Sequence, residues 1–296
     1  MAKYKIGVDL GGTKIEGVVL DADGREIFRK RVPTERELGY QHILNTIKTL
    51  HADLVAAADG NPTTFGIGTP GTLSRHTGLL KNSNTVCMNG QPVKADLEKI
   101  LNRPIEIQND ANCFALAEAL LGAGRGKKLV YGVIIGTGCG GGIVYEGKVL
   151  AGLQGLGGEW GHSSIDPNGP LCFCGHRGCV ETYISGGGLE NRYAERYGTR
   201  RPLKEVVNDY ANGQPQAVEF MTAFFDRFGR ALANVIDIVD PDVVVMGGGV
   251  SNVPAVYNEG VARVRHYALT DDLETPIVKH QLGDSAGVLG AALVGV

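Results

Sequence analysis

Residues 4–20 read YKIGVDLGGTKIEGVVL, and residues 129–145 read LVYGVIIGTGCGGGIVY. Each stretch is an apolar β-type run, a glycine turn and a second apolar run. The first turn is Gly11-Gly12-Thr13, between Tyr4–Asp9 and Ile15–Leu20. The second is Gly136–Gly142, between Leu129–Ile135 and Ile143–Tyr145. The pattern therefore restarts, and the chain reads as two copies of one half, each of about 115–130 residues.

Working outward, Asp21–Gly24 is a turn and Glu26–Arg31 a third strand of a meander. Ile43, Leu44, Ile47, Leu50 and Leu54 recur at helical spacing over residues 41–58. Phe65–Gly68 and Pro104–Gln108 are short strands, and Asn109–Gly122 reads as a helix. In the second half, residues 150–188 form a long irregular segment. Val218, Met221, Phe225, Phe228, Leu232, Val235 and Val239 mark a long amphipathic helix that Pro241 ends. Asp242–Met246 is a buried-type strand leading into Gly247-Gly248-Gly249. Pro276–Gln281 is a last strand, and Ser285–Val294 a closing helix. Strands mixed with helices throughout give an α/β class.

The bulk numbers exclude several alternatives. The 296 residues include 44 glycines, 18 of them between Gly132 and Gly188, yet only 12 prolines and no G-X-Y period, so collagen is ruled out. The glycines sit among apolar β-type segments, which rules out a disordered low-complexity chain. A net charge of −3 offers no basic field for nucleic acid. No apolar run reaches the roughly 18–20 residues of a membrane span, and no signal-peptide core opens the chain. The expected compartment is the cytoplasm, with no membrane and no nucleic-acid partner.

Three loops could expose backbone N–H groups to phosphate: Gly11-Gly12-Thr13, Gly136-Thr137-Gly138-Cys139-Gly140-Gly141-Gly142 and Gly247-Gly248-Gly249. Plain hairpin turns are the bland reading of each. Gly66-x-Gly68-x-x-Gly71 and Gly136-x-Gly138-x-x-Gly141 both satisfy G-x-G-x-x-G, but neither opens a helix, so neither is a dinucleotide fingerprint. A P-loop sequence is absent. Asp9, at the end of a buried strand, could position a hydrated Mg²⁺. Lys14 could supply charge to phosphates or be an ordinary exposed lysine.

His162, Cys172, Cys174 and Cys179 give H-x9-C-x-C-x4-C, with Gly175 and Gly178 inside. Three thiolates and an imidazole match a closed tetrahedral structural zinc site. Free or disulfide-bonded cysteines are the alternative. Cys87, Cys113 and Cys139 are scattered and read as ordinary small residues. Asp110, in Asn109-Asp110-Ala111-Asn112, is a general base or a helix N-cap. Glu159, His162 and Glu181 bracket the cysteine cluster, and such groups can orient the hydroxyls of a polyhydroxylated ligand. Each carboxylate taken singly also reads as an exposed glutamate.

Together these motifs resemble the ROK family of repressors, open reading frames and sugar kinases. The residues that carry the resemblance are DLGGTK at 9–14, GTPG at 68–71, NDAN at 109–112, GTGCGGG at 136–142, GGEWGH at 157–162, CxCGxxGCxE at 172–181 and DPDVVVMGGG at 240–249. They run in order along essentially the whole chain.

The resemblance implies a two-domain actin-like ATPase fold of ribonuclease H type with an interdomain cleft. It implies domains at about 1–115 and 116–283, with residues from about 284 packing back on the first. It implies phosphoryl transfer from Mg·ATP to a hexose hydroxyl, a structural Zn²⁺ and a homodimer. By it Asp110 is the catalytic base. Gly71, Asn84, Asn109, Asp110, Glu159, His162 and Glu181 are the sugar-contacting positions. Asp9, Gly11, Gly12, Thr13 and Lys14 belong with the nucleotide, as do Gly136, Thr137, Gly138, Cys139, Gly140, Gly141 and Gly142, and Gly247, Gly248 and Gly249. The stretches Leu80–Asn84 and Asn89–Pro92 look most like bacterial fructokinases and broad hexose kinases of the family. The alternatives are an N-acetylglucosamine, N-acetylmannosamine or glucose kinase. From a different class come a sugar-sensing repressor, for which only eight residues precede Asp9, and a zinc-stabilised binding protein without turnover.

Overall fold

Tyr4–Leu10 (β1) buries Ile6, Gly7, Val8 and Leu10, and Lys14–Leu20 (β2) is buried from Ile15 on, as in strands covered on both faces. They pair antiparallel through the Gly11–Thr13 bend, and Glu26–Pro33 (β3) extends the meander. Thr63–Thr69 (β4) and Glu106–Asn109 (β7) add parallel strands, giving a five-stranded sheet of order β3-β2-β1-β4-β7. Thr72–Leu73 (β5) and Leu80–Lys81 (β6) form a small hairpin after β4. Tyr40–Ala57 (α1) presses Ile43, Leu44, Ile47, Leu50 and Leu54 into the core, the stripe its sequence spacing predicts. Val93–Leu101 (α2) and Asp110–Leu121 (α3) complete this half. This computed structural model describes residues 3–295.

The second sheet repeats the plan. Leu129–Ile135 (β8) is followed by Cys139–Tyr145 (β9) and Lys148–Val149 (β10). Val243–Gly247 (β11) and Ile277–Lys279 (β12) join parallel to β8, for an order β10-β9-β8-β11-β12. The helices here are Glu181–Ile184 (α4), Gly186–Tyr197 (α5), Leu203–Ala211 (α6), Pro215–Val239 (α7) and Glu259–Tyr267 (α8). Ala286–Val294 (α9) closes the sequence of elements. The α/β reading and the paired halves are what the structure shows.

The chain divides into two compact units. One holds the residues up to Arg125, Gly142–Gly157 and the residues from Leu282. The other holds Gly126–Gly141 and Gly158–Gln281. α9 packs on the first sheet, and only glycine lets it come so close. A Cβ on Gly7 would lie 2.3 Å from the Ala292 nitrogen, and one on Gly66 would lie 2.1 Å from the Ala291 oxygen. Buried Glu118 ties the entry to α9: its carboxylate accepts the Ala123 and Leu282 N–H groups, each at 2.9 Å.

Three expectations change. The glycine turn at 136–142 is shorter than its composition implies, since β9 already starts at Cys139. Gly140–Gly142 are strand residues, with Gly141 pressed by Gly158 and Gly142 by Ala111 and Asn112. The irregular segment at 150–188 is not wholly irregular. It contains a 3-10 turn at Trp160–His162, all of α4, and the first turn of α5 in Gly186-Gly187-Gly188. On α7 Met221, Phe225, Phe228 and Leu232 are buried as the spacing predicts, Phe220, Phe224 and Ile236 widen the stripe, and Val218 is exposed.

Candidate active site and metal cluster

In an open α/β sheet ligands collect beyond the carboxyl ends of parallel strands. Asp9 is near the end of β1, Gly71 follows β4 and Asn109 ends β7; the register pairs Asp9 with Gly68 and Thr69 with Asn109. One edge of the first sheet therefore carries all three.

β7 passes into α3 with no linking residue. Asn109 is the N-cap: its Oδ1 accepts the Ala111 N–H at 2.9 Å and the Asn112 N–H at 3.4 Å. Its Nδ2 donates to the Gly71 carbonyl at 3.1 Å. Gly71 has φ +84°, and a Cβ there would stand 2.3 Å from the Lys81 oxygen, so only glycine suits the turn. Capping thus falls to Asn109, and Asp110 takes the first helical position, half-buried, its Oδ1 accepting the Ala111 N–H at 2.8 Å.

Asp9 is pushed up to about 7, first by burial, then by the charges of Asp110 and Glu16, with Lys14 opposing. Glu16 is a residue the sequence reading passed over. It sits opposite Asp9 in the β1–β2 ladder and is almost fully buried. Arg29 at 2.6 Å, Arg31 at 2.9 Å and Lys14 at 3.6 Å neutralise it. Its signal was a single carboxylate inside the apolar run KIEGVVL. Gly11 and Lys14 close the first loop through a 3.0 Å backbone hydrogen bond, and Thr34 braces it by donating to the Gly11 carbonyl at 2.7 Å. A Cβ on Gly12 would lie 3.8 Å from Oδ1 of Asn84, which is exposed, so Asn84 borders this loop. With Glu16 already neutralised, Asp9 is the carboxylate at the end of β1 that could meet a hydrated divalent cation, which would replace its proton.

The second sheet has a matching edge. β8 and β11 are parallel neighbours, with Gly247 paired to Ile134. The turns after them touch: Gly248, at φ +79°, is so close that a Cβ would meet the Ile135 oxygen at 2.5 Å. Gly249 starts the 3-10 turn that follows. The first glycine turn closes through the Gly136 N–H and the Gly138 carbonyl at 2.9 Å. The Cys139 thiol is buried and raised well above its usual value by burial. Its N–H donates to Glu181 Oε2 at 2.9 Å. Burial also raises Glu159, against the pull of His162, with the charge of Glu181 adding to the rise.

His162, Cys172, Cys174 and Cys179 converge: their ligand atoms all lie within 4.8 Å of one another. His162 Nδ1 is 3.6 Å from the Cys172 sulfur, and the Cys174 and Cys179 sulfurs are 3.6 Å apart. Two thiolates about 2.3 Å from one zinc at the tetrahedral angle would be about 3.8 Å apart, so the donor set fits the ion. All six cysteines are free thiols. Gly178, at φ +64°, makes the knuckle, where a Cβ would collide with the Asp166 oxygen at 1.7 Å. His176 Nδ1 lies 3.8 Å from the Cys174 sulfur, outside the four-atom set.

The chain is similar to known proteins along its whole length. The ROK family profile matches residues 5–295. An N-acetyl-D-glucosamine kinase of Yersinia pseudotuberculosis is 39% identical over 301 residues, covering 97% of each chain. One of Vibrio parahaemolyticus is 37% identical, covering 97% of this chain and 98% of its own. Among solved structures, a ROK hexokinase from Thermus thermophilus is 35% identical with TM-score 0.90, covering 99% of this chain and 97% of that one. A ROK family glucokinase from Streptomyces griseus, in complex with glucose and AMPPNP, is 30% identical with TM-score 0.77, covering 99% of each. With the motifs in order and the actin-like ATPase fold in place, the chain belongs to the ROK family and is one of its sugar kinases, an ATP-dependent phosphotransferase.

Proposed function

We propose that the chain transfers the γ-phosphoryl group of ATP to the 6-hydroxyl of a hexose, and that N-acetylglucosamine is the preferred acceptor. The observation that carries the chemistry is Asp110, fixed at the first position of α3 beside half-buried Asp9. Support for the acceptor comes from the curated relatives at 37–39% identity, which favour N-acetylglucosamine over the fructose reading of Leu80–Asn84. A broad hexose kinase is the second reading, favoured by the Thermus hexokinase at TM-score 0.90.

In the reaction Asp110 takes the hydroxyl proton as the sugar oxygen bonds to the γ-phosphorus. The bond from that phosphorus to the bridging oxygen breaks, and ADP leaves. General-base help of this kind contributes about 10²–10⁴-fold. Asn109 offers its remaining amide hydrogen to a sugar hydroxyl, with Gly71 and Asn84 bordering the same ligand. Glu159, His162 and Glu181 orient further hydroxyls. Lys14 and the backbone amides of the turns at Gly12–Thr13, Thr137–Gly138 and Gly248–Gly249 hold the nucleotide phosphates. Magnesium beside Asp9 would neutralise charge on the transferring phosphoryl group. Zinc on its four protein ligands would supply rigidity, since a closed shell leaves no position for substrate. The homodimer that the family resemblance implies is part of this proposal.

A coupled assay with ATP and fructose, mannose, glucose, N-acetylglucosamine and N-acetylmannosamine tests it. The highest kcat/KM is expected with N-acetylglucosamine. Fructose in first place would restore the fructokinase reading, and no turnover with any of the five would sink the kinase assignment.

A further inference from the structure

The second unit holds its first glycine turn from two sides, and both holding segments also carry metal-cluster ligands. On one side Glu181 Oε2 accepts the Cys139 N–H at 2.9 Å. The fit is tight: a Cβ on Gly138 would stand 2.7 Å from that same oxygen. Just beyond, the first amides of α5 reach back. Gly186 N–H donates to the Gly136 carbonyl at 2.7 Å and Gly187 N–H to the Thr137 carbonyl at 3.3 Å. Side chains at the first two positions would crowd the turn: Cβ atoms on Gly186 and Gly187 would lie 3.1 and 2.9 Å from the carbonyl oxygens of Gly136 and Thr137, whereas one on Gly188 would stand 2.5 Å from the Glu181 backbone oxygen. On the other side the Trp160 indole N–H donates to the Gly140 carbonyl at 3.0 Å. Gly161 lies against Cys139 so closely that a Cβ would meet its oxygen at 2.0 Å.

We infer that Glu181 is a positioning residue for the nucleotide turn Gly136–Cys139, linking the sugar-and-metal segment to the loop that holds phosphate. The inference rests on the kinase reading above. Glu181 lies two residues beyond Cys179, and Trp160 two before His162, so one cluster anchors both arms. A carboxylate accepting a backbone N–H is a charge-assisted bond, roughly twice as strong as a neutral one. With Oε2 spent on the loop, Oε1 is the atom to meet a sugar hydroxyl. A residue that served the sugar alone would leave nucleotide affinity untouched when no sugar is present.

The test is therefore made without sugar. Affinity of the full chain for a non-hydrolysable ATP analogue with magnesium is measured by calorimetry for the wild type, Glu181→Gln and Glu181→Ala. Trp160 is the only tryptophan in the chain, and its buried-type emission checks that each variant is folded. Losing a bond to a charged group weakens binding by about tenfold or more, so Glu181→Ala should bind at least that much more weakly. Glu181→Gln keeps an acceptor oxygen and should fall between. Affinity in Glu181→Ala equal to wild type overturns the inference and leaves the kinase reading standing. Failure of the wild type to bind the analogue strikes the kinase reading instead. Should Glu181→Ala not fold, hydrogen exchange of the Cys139 amide in Glu181→Gln decides: faster exchange supports the link, and an unchanged rate overturns it.

Discussion

Asp9 and Asp110 are adjacent carboxylates with different jobs, and each makes its own prediction. Asp110→Asn keeps the shape and first-turn position but cannot take a proton. We expect kcat to fall by about 10²-fold or more with sugar affinity retained. Near-normal turnover would remove Asp110 as the base. Asp9 bears on stability. Its ordinary value is 3.8 and its folded value about 7. Between these the folded chain holds a proton that the unfolded chain has released. The contribution is fully present below the lower value and lost as pH rises through the upper one. In magnesium-free buffer, Asp9→Asn should therefore melt above wild type at about pH 8, with the gap closing towards pH 5. A variant that melts lower at the higher pH would contradict the buried charge. The motif residues themselves were legible in the sequence, because Asp9, Asn109 and the cysteine cluster each break an apolar or glycine-rich background. Glu16 was not, because its importance comes from Arg29 and Arg31 across the β2–β3 ladder, a register that composition does not reveal.

At the scale of elements, α1 and β8 were readable because their apolar periodicity is long and clean. The short helices were missed for physical reasons. α2, α6 and α8 have nine residues each and bury at most two, which leaves almost no stripe to detect. α5 opens on three glycines, poor helix formers that backbone crowding requires here. The knuckle is the element where backbone geometry matters most. Gly178→Ala would force a Cβ onto the Asp166 backbone at a left-handed φ. We expect loss of bound zinc, measured by metal analysis, and a lower melting temperature. Full metal content in that variant would show that the knuckle tolerates the side chain. The α3–α9 contact makes a parallel case. A Cβ on Gly290 would come within 1.8 Å of the Cys113 oxygen. Gly290→Ala should cost about 1–3 kcal/mol in denaturant unfolding, the usual range for overpacking.

For the whole molecule, the duplicated strand–glycine–strand pattern gave the α/β class and the two sheets, since both copies occupy central strands. It did not give the composition of the units: Gly142–Gly157 groups with the first half by packing, which no local pattern encodes, and the return of the residues from Leu282 was implied only by the family resemblance. Among the described residues no helix is long and apolar enough to cross a membrane. α9 also sets a timetable for synthesis. β1 and β4 keep glycines at Gly7 and Gly66 for a helix that a ribosome makes long after β7. At about 5–20 residues per second, the first sheet waits on the order of ten seconds or more for that cover. During this interval its apolar face is exposed on the nascent chain, which makes it the natural place for a chaperone to hold.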